Sequence, residues 1–270
     1  IAYWSANVAL RPLARIGHLI DDIVGGRALP IPRPGKDNER ELALIEAKLS
    51  LLGERFRGAQ EDATQLRSSL EGALEKLTDP DDAAAQKLRA ATTLHIVPNM
   101  NPDGSVLGNL RTNAAGANLN REWANPSMAT SPEVFLVRQR IQQTGVDAFI
   151  DVHGDEGLPY VFVSGGEMLP GFTQEQAGAQ HAFIRDFKGA SPDFQDVHGY
   201  AAGKYREQAL QLASKWVGHT YGCLSLTLEM PFKDNANLPD ADVGWNGERS
   251  RTLGAAMLGP LLAHVMRGDT

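Results

Sequence analysis

The sequence predicts an α/β protein with a mixed, mostly parallel central sheet flanked by helices. From about residue 92 onward, short apolar runs of strand length alternate with stretches of helical periodicity. These runs are apolar throughout rather than at every second position, which is typical of a sheet that helices cover on both faces. A chain of 270 residues suits one α/β domain with an appendage better than two equal domains.

The composition excludes several classes of protein. With 42% hydrophobic and 22% charged residues, the chain has the balance of a globular protein rather than a disordered or low-complexity one. A net charge of −7 argues against a nucleic-acid partner, and the apolar runs are too short to cross a membrane. The single cysteine, Cys223, suits a reducing compartment, and residues 1–10 lack the pattern of a secretory signal peptide. We therefore expect a cytoplasmic location.

Residues 1–77 are predicted to form a helical N-terminal segment ahead of an α/β domain at residues 78–270. Over residues 37–77 the apolar positions recur at alternating intervals of three and four, the spacing of a coiled-coil seam. Two interpretations are open: a long amphipathic helix packed on the domain, or a projecting coiled coil that makes the protein a homo-oligomer. The seam positions are Leu42, Ile45, Leu49, Leu52, Phe56, Ala59, Ala63, Leu66, Leu70, Ala73 and Leu77.

Local sequence predicts each element of the α/β domain in turn. Residues 92–97 (TTLHIV) are rich in β-branched residues and predict a strand that Pro98 ends. Ser131 is a predicted helix N-cap with Pro132 at the first helical position, and Gly145 follows the end of that helix. Further strands are predicted at residues 146–152, 160–164 and 223–228, and further helices at residues 174–188, 203–216 and 249–266, the last kinked at Pro260.

Polar clusters follow three of the predicted strands, where functional residues of α/β sheets collect. Residues 98–123 are rich in asparagine and arginine, residues 151–156 read DVHGDE, and Glu229 follows the last strand. Each cluster alone has a simpler interpretation as a turn, a packed histidine or an ion-pair partner. Together they supply an imidazole for a divalent metal, guanidinium groups for a carboxylate, and a base for a metal-bound water. This combination predicts a metal-assisted hydrolase acting on an anionic substrate.

The motifs in these clusters closely resemble those of the M14 zinc carboxypeptidases, in their cytosolic carboxypeptidase-like branch. The matching stretches are VPNMNPDGSVLGNLRTNAAGANLNREW at residues 97–123, SPEV at 131–134, DVHGDE at 151–156 and LTLEMPFKDN at 226–235, and the resemblance extends over about residues 78–260. It implies a mixed α/β sheet, a zinc cofactor, and hydrolysis of the C-terminal peptide bond of a peptide or protein. Several eukaryotic members of the branch remove glutamates, so an acidic last residue is one implied substrate.

The resemblance also implies a role for each of five residues. His153 matches the family's third zinc ligand. Arg121 matches the arginine that binds the terminal carboxylate of the substrate, assisted by Asn120. Arg111 matches the arginine that polarises the scissile carbonyl group, and Glu229 matches the catalytic glutamate that accepts a proton from water.

One departure from the family pattern concerns the other two zinc ligands. The family takes them from a His-x-x-Glu motif ahead of Asn-Pro-Asp-Gly, and residues 1–98 contain no such motif. Alignment places Gln60 and Ala63 at the two positions, and His18 with Asp21 has only a similar spacing. Three interpretations are open. The domain binds C-terminal peptides without cleaving them, residues 1 to about 90 are rearranged or engineered relative to the natural gene, or ligands that spacing does not identify complete the metal site.

Overall fold

The computed structural model describes residues 64–109, 111–167, 169–201 and 206–268. Most of the predicted helical segment at residues 1–77, including the first part of the heptad pattern, lies outside them. Residues 64–78 are helical and form α1, which packs on the domain. Leu66 contacts the main core, and Leu77 lies in a small apolar cluster with Leu88 and Leu258. This stretch of the seam is therefore a packed amphipathic helix.

The central sheet of the described residues has three strands. They are β1 (Ala148–Asp155), β2 (Phe162–Ser164) and β3 (Leu224–Pro231), and β3 lies in the middle. β1 pairs with β3 in parallel, whereas β2 pairs with β3 in antiparallel orientation. The sheet is mixed, as expected. With one ladder of each kind, the expectation that it is mostly parallel is not confirmed for the part of the chain described.

In the part of the chain that the structure describes, seven further α-helices and two 3₁₀ helices surround this sheet. The 17-residue helix α5 begins with a capping box formed by Thr173 and Gln176, and α6 ends at Gly222, whose φ of 70° is easy only for glycine. No helix in the described residues is long and apolar enough to span a membrane. The helices are α2 (Ala83–Ala91), α3 (Pro102–Leu107), α4 (Pro132–Thr144), α5 (Gln174–Ala190), α6 (Ala213–Tyr221), α7 (Gly247–Ala256) and α8 (Leu258–Gly268), with 3₁₀ helices at Leu119–Arg121 and Arg206–Gln211.

One face of the sheet is apolar and carries the main core. Side chains alternate along a strand, so every second residue of β3 points to this face. Residues from α5 and α7, including Phe183, Phe187 and Leu253, pack against them and are fully or almost fully buried. Burial of each such side chain contributes about 1.5–3 kcal/mol to folding. The strand residues on this face are Ile150, Val152, Leu224, Leu226, Leu228 and Met230.

The opposite face of the sheet is partly covered by α6 and becomes polar toward the strand ends. A second apolar cluster forms under α6, where Val217 packs with Phe149 and Trp123. Closer to the strand ends the contacts are polar. The hydroxyl oxygens of Ser214 and Thr227 lie 2.6 Å apart and share a hydrogen bond. The helix therefore anchors this face through both packing and polar contacts, and it leaves the carboxyl ends of β1 and β3 open.

The strand predicted at residues 92–97 is wrong. The segment forms neither a helix nor a ladder with any described residue, and Leu94, Ile96 and Val97 are each at least 40% exposed. A β-branched sequence favours extended backbone, but a strand also needs a neighbouring edge to satisfy its N–H and C=O groups. That edge is a tertiary feature that local sequence does not supply.

The helix predictions are confirmed in outline and corrected in detail. α4 begins after Ser131 and ends before Gly145 as predicted, but the Ser131 hydroxyl donates to Glu122 Oε2 at 3.2 Å instead of capping the helix. The helix predicted at 203–216 is replaced, in its described part, by a 3₁₀ helix followed by α6. The last predicted helix is interrupted at Met257, within one turn of Pro260, whose ring nitrogen has no N–H to donate to the preceding turn.

Candidate active site

The carboxyl ends of β1 and β3 bring acidic and imidazole side chains together. In the parallel register His153 lies directly opposite Glu229, and Asp151 lies opposite Thr227. Because side chains alternate, these residues and Asp155 point to the same face of the sheet, opposite the main core. Apolar and polar residues therefore alternate along β3 and along the second half of β1, which corrects the expectation that these runs are apolar throughout.

All five residues singled out from the sequence line one cavity of about 420 Å³ beside these strand ends. A cavity of this volume lies within the range of small-molecule binding sites. The sequence did not identify several other residues of the lining, among them a lysine, a tyrosine and two further acidic residues. The five expected residues are Arg111, Asn120, Arg121, His153 and Glu229; the additions include Ser164, Lys215, Tyr200, Asp155 and Glu156.

Glu229 is a buried carboxyl group with one unsatisfied oxygen. Its residue is 5% exposed, and Oε1 lies 2.8 Å from the Tyr200 hydroxyl. Oε2 is buried and has no hydrogen-bond partner among the described residues. Burial raises the pKa of Glu229 to about 7, although His153 and Tyr200 act in the opposite direction. The group therefore has an oxygen ready to accept a proton from a molecule in the cavity.

Tyr200 bridges two carboxyl groups. Its hydroxyl lies 2.5 Å from Asp155 Oδ2 and 2.8 Å from Glu229 Oε1. A hydroxyl has one proton to donate, so a hydrogen bond to both partners requires a proton on one of the carboxyl groups. Burial and the neighbouring charge of Glu229 raise the pKa of Tyr200 above its ordinary value. The ring packs edge-on against Phe162, which fixes the hydroxyl between the two acids.

His153 is held by an acidic neighbour on its own strand. Its Nε2 lies 2.8 Å from Asp151 Oδ2. Burial disfavours the imidazolium, but the charge and hydrogen bond of Asp151 outweigh it and raise the pKa of His153 to about 9. In the described part of the chain no group of three or more His, Cys, Asp or Glu side chains is arranged to hold a metal ion.

Asn120 and Arg121 lie on the 3₁₀ helix Leu119–Arg121, which packs into the second apolar cluster. Asn120 Oδ1 accepts a hydrogen bond of 3.0 Å from the backbone N–H of Ala213, at the start of α6. This bond determines the orientation of the amide, so its Nδ2 carries the donors available to a ligand. Arg121 Nη1 donates to the Asn120 carbonyl oxygen at 2.7 Å. The pair therefore presents N–H donors and positive charge to the cavity.

Arg111 is paired with Glu156 at the edge of the cavity. A single guanidinium nitrogen, Nη2, lies 2.8 Å and 3.1 Å from the two carboxylate oxygens of Glu156. The side chains are 50% and 44% exposed. Exposed ion pairs of this kind contribute between about 0 and 1 kcal/mol to stability, so this contact matters for the charge at the cavity edge more than for folding.

Lys215 places a buried ammonium group in the cavity lining. Its residue is 9% exposed, and Nζ donates to Ser164 Oγ at 2.9 Å. Burial lowers the pKa of Lys215 to about 8, while Glu167 and Glu229 act in the opposite direction. The cavity therefore contains a cation that is poorly solvated at neutral pH.

The residues missed from the sequence are those whose neighbours are distant along the chain. Lys215 resembles an ordinary helical lysine, and Tyr200 lies in a loop without a motif. Glu156 was visible inside DVHGDE, and with His153 it even has a His-x-x-Glu spacing, but the structure pairs it with Arg111. Only the DVHGDE motif offered a way to find any of these residues in advance.

A family model described as zinc carboxypeptidase matches residues 66–248 of the chain. Among curated proteins, an uncharacterised protein of Zymomonas mobilis is 48% identical over 185 residues, which cover 68% of this chain and 49% of that protein. Cytosolic carboxypeptidase 6 of Caenorhabditis elegans is 27% identical over 177 residues, covering 60% of this chain and 36% of that protein. The chain thus spans half or less of the length of these relatives.

Two solved structures show the same fold over about three quarters of the chain. A metallo-carboxypeptidase from Burkholderia cenocepacia superposes with a TM-score of 0.72 at 63% identity, covering 74% of this chain and 54% of the other. A metallo-carboxypeptidase from Pseudomonas aeruginosa, in complex with (2-guanidinoethylmercapto)succinic acid, superposes with a TM-score of 0.69 at 44% identity. That match covers 73% of this chain and 52% of the other.

Proposed function

Since the chain belongs to the zinc carboxypeptidase family of hydrolases, we propose that it hydrolyses the C-terminal peptide bond of peptides or proteins and prefers an acidic last side chain. One observation carries this proposal. A buried carboxyl group with an unsatisfied oxygen, Glu229, lines the same cavity as the Asn120–Arg121 pair. A proton acceptor and a carboxylate-binding pair in one cavity are the two elements that cleavage next to a free C-terminus requires.

The Asn120–Arg121 pair would bind the terminal carboxylate of the substrate. The Asn120 amide is oriented by the backbone of α6, so its N–H donors need no reorganisation when a ligand arrives. Charge-assisted hydrogen bonds from a guanidinium to a carboxylate are about twice as strong as neutral ones. The P. aeruginosa relative supports this role, because the compound in its complex is a succinic acid derivative and so carries two carboxyl groups.

Glu229 and Arg111 would act on the scissile bond. Glu229 Oε2 has no partner among the described residues, so it would take a proton from the attacking water and return it to the leaving amine. Arg111 lines the same cavity and would donate to the carbonyl oxygen as negative charge develops there. Tyr200 would hold the other oxygen of Glu229 in place.

Lys215 supports a preference for an acidic last side chain. A buried ammonium is costly unless it is paired, and here its hydrogen-bond partner among the described residues is the neutral hydroxyl of Ser164. A glutamate or aspartate side chain entering the cavity would supply the missing negative charge. A neutral side chain of the same size would leave the ammonium as poorly paired as before, so we expect weaker binding of such substrates.

The zinc ion implied by the family does not fit the described residues alone. Catalytic zinc sites use three protein ligands as a rule, and His153 is the single described residue that the family resemblance assigns as a ligand. It is bonded to Asp151, and no described group of three donors surrounds it. The aligned positions Gln60 and Ala63, and the pair His18 and Asp21, lie outside the described residues. Zinc as the cofactor of this chain is therefore a proposal for experiment.

The direct experiment combines metal analysis with turnover. We expect the purified chain to hold one zinc ion, measured by elemental analysis, and to release the last residue from peptides with a free C-terminus. Glu229→Gln is the matched control, because it keeps the shape of the side chain and removes the proton acceptor. A folded protein with neither zinc nor turnover would contradict the proposal.

A second candidate is a peptide-binding module without hydrolytic activity. It is favoured by the incomplete donor set around His153 in the described residues. This alternative predicts peptide affinity that survives Glu229→Gln and is lost in Arg121→Ala, with no turnover in any variant. Calorimetric titration with a free-acid peptide, run beside the turnover assay, separates the two candidates.

Self-association and location follow as further parts of the proposal. The heptad pattern at residues 37–77 would form a homo-oligomer through its first half, which lies outside the described residues. Leu49→Asp should then dissolve concentration-dependent dimers in sedimentation velocity, and a monodisperse monomer in the unaltered protein would contradict it. The cytosolic carboxypeptidase relatives support a cytoplasmic location.

A further inference from the structure

The pairing of Arg111 with Glu156 has a consequence for how a peptide is aligned in the cavity. Among the described residues, two arginines line this cavity, Arg111 and Arg121, and a free carboxylate is chemically suited to both. If the carboxylate bound at Arg111, the scissile bond would lie away from Glu229, and the complex would be unproductive. Correct alignment therefore needs something that makes Arg111 unattractive to an anion.

We propose that Glu156 is a specificity residue that neutralises Arg111, so that Arg111 rejects the terminal carboxylate of the peptide and remains available to a neutral carbonyl group. This inference rests on the proposed function, in which the Asn120–Arg121 pair receives the carboxylate. Both contacts with Glu156 come from Nη2 of Arg111, at 2.8 Å and 3.1 Å. The charge is compensated, while the other N–H groups of the guanidinium donate no hydrogen bond to another described residue.

The distinction between a carboxylate and a carbonyl follows from electrostatics. An anion that approaches Arg111 also approaches Glu156, so attraction to one is offset by repulsion from the other. A carbonyl group carries no net charge and is not repelled. It can accept a hydrogen bond from the remaining donors of the guanidinium without breaking the ion pair.

Binding of a minimal probe tests this inference without requiring turnover. N-acetyl-trialanine has one carboxylate, and its C-terminal amide has none. We expect Glu156→Gln to tighten binding of the free acid by about three- to tenfold in calorimetric titration and to leave the amide unchanged. In the double variant Arg111→Gln, Glu156→Gln this gain in affinity should disappear, because the guanidinium that Glu156 would neutralise is absent.

Asp196→Asn provides a matched control for the loss of one surface carboxylate. Asp196 lies 2.6 Å from Lys188 in a similarly exposed ion pair, and neither residue lines the cavity. This variant should bind both probes as the unaltered protein does. An equal gain for the amide, no gain for the acid, or a gain that persists in the double variant would overturn the role of Glu156.

Steady-state kinetics give a second readout that a merely structural residue would not affect. A carboxylate bound in the wrong register lowers kcat and KM by the same factor and leaves kcat/KM unchanged. We expect that pattern for Glu156→Gln, whereas a general loss of structure would lower kcat/KM. Arg121→Ala distinguishes failure of the proposed function from failure of the role of Glu156. If this variant binds the acid as tightly as the unaltered protein, the carboxylate site at Arg121 is wrong. The Glu156→Gln and double variants still test the role of Glu156.

Discussion

The two faces of β3 have opposite compositions although they share one backbone. Leu224, Leu226, Leu228 and Met230 point to one face and are at most 3% exposed within the main core. Ser225, Thr227 and Glu229 alternate with them and point to the other face, where each has a polar contact. The apolar face stabilises the fold, and the polar face carries the candidate site.

The two faces of β3 differ in the free-energy cost of burying their side chains. Apolar side chains gain free energy when they leave water, whereas a buried carboxyl or ammonium group loses it unless it is paired. Within the described residues, one oxygen of Glu229 has no hydrogen-bond partner and the ammonium of Lys215 bonds to the neutral hydroxyl of Ser164, so the polar face carries a cost that the apolar face must offset. Substitutions on the two faces should therefore separate stability from function.

The largest effect on stability is expected on the apolar face. Leu228 is fully buried, and Leu228→Ala should lower the free energy of unfolding by about 2–5 kcal/mol because it removes contacts and leaves a cavity. Urea denaturation followed by circular dichroism measures the change. Val243→Ala is the control, since Val243 is 62% exposed and should change stability by less than about 0.5 kcal/mol. Equal losses in the two variants would contradict the distinction.

Substitution of Glu229, which follows Leu228 in β3, should lower activity and leave stability intact. Glu229→Gln should lower kcat by about 10²–10⁴-fold if Glu229 is the proton acceptor. Its free energy of unfolding should stay the same or rise, because the amide does not carry the cost of a buried charge. Peptide turnover and urea denaturation on one preparation test both parts. Full activity in this variant would remove Glu229 from the mechanism.

Lys215 should control the preference for acidic substrates. Lys215→Met should reduce the ratio of kcat/KM for peptides ending in glutamate over those ending in glutamine by about 10–100-fold, the value of a hydrogen bond to a charged group. The same ratio in the unaltered protein should fall as the pH rises through about 8, where the buried ammonium loses its proton. A ratio that is independent of pH in the unaltered protein would argue against this role.

The pH dependence of stability gives an independent test of the same lysine. Burial lowers the pKa of Lys215 from 10.5 to about 8, so between these values the unfolded chain binds more protons than the folded protein. Because of Lys215, the free energy of unfolding therefore rises with pH across that window. Lys215→Met should lack the rise, as measured by urea denaturation at about pH 7.5, below the window, and about pH 9.5, inside it.

The smallest effect is expected for the hydroxyl pair beneath the site. Thr227→Val removes one partner of the 2.6 Å contact with Ser214 and should cost about 1 kcal/mol. Adding Ser214→Ala should cost less than a second equal amount, because it also removes the hydroxyl left without its partner. Urea denaturation of the single and double variants measures this coupling. Strictly additive losses would show that the two hydroxyls contribute independently.

The sequence predicted the residues of the candidate site better than their contacts. The apolar run predicted as a strand at 223–228 and the motif DVHGDE together placed Glu229 and His153 at strand ends, because an apolar run and the polar residues that follow it are features of nearby residues. The structure then brought Arg111, Asn120 and Arg121 into the same cavity. The roles of these five residues remain predictions that the experiments above test.

By itself, the sequence determined the α/β alternation, the helix boundaries marked by Pro132 and Gly145, and the polar residues that follow the strands. These features depend on backbone geometry and on interactions within a few residues. The tertiary structure alone decided that residues 92–97 have no strand partner among the described residues, that Lys215 is buried beside Ser164, and that Arg111 pairs with Glu156. The two contacts join groups 45 or more residues apart along the chain. Their distance, burial and charge compensation exist only once the chain is folded.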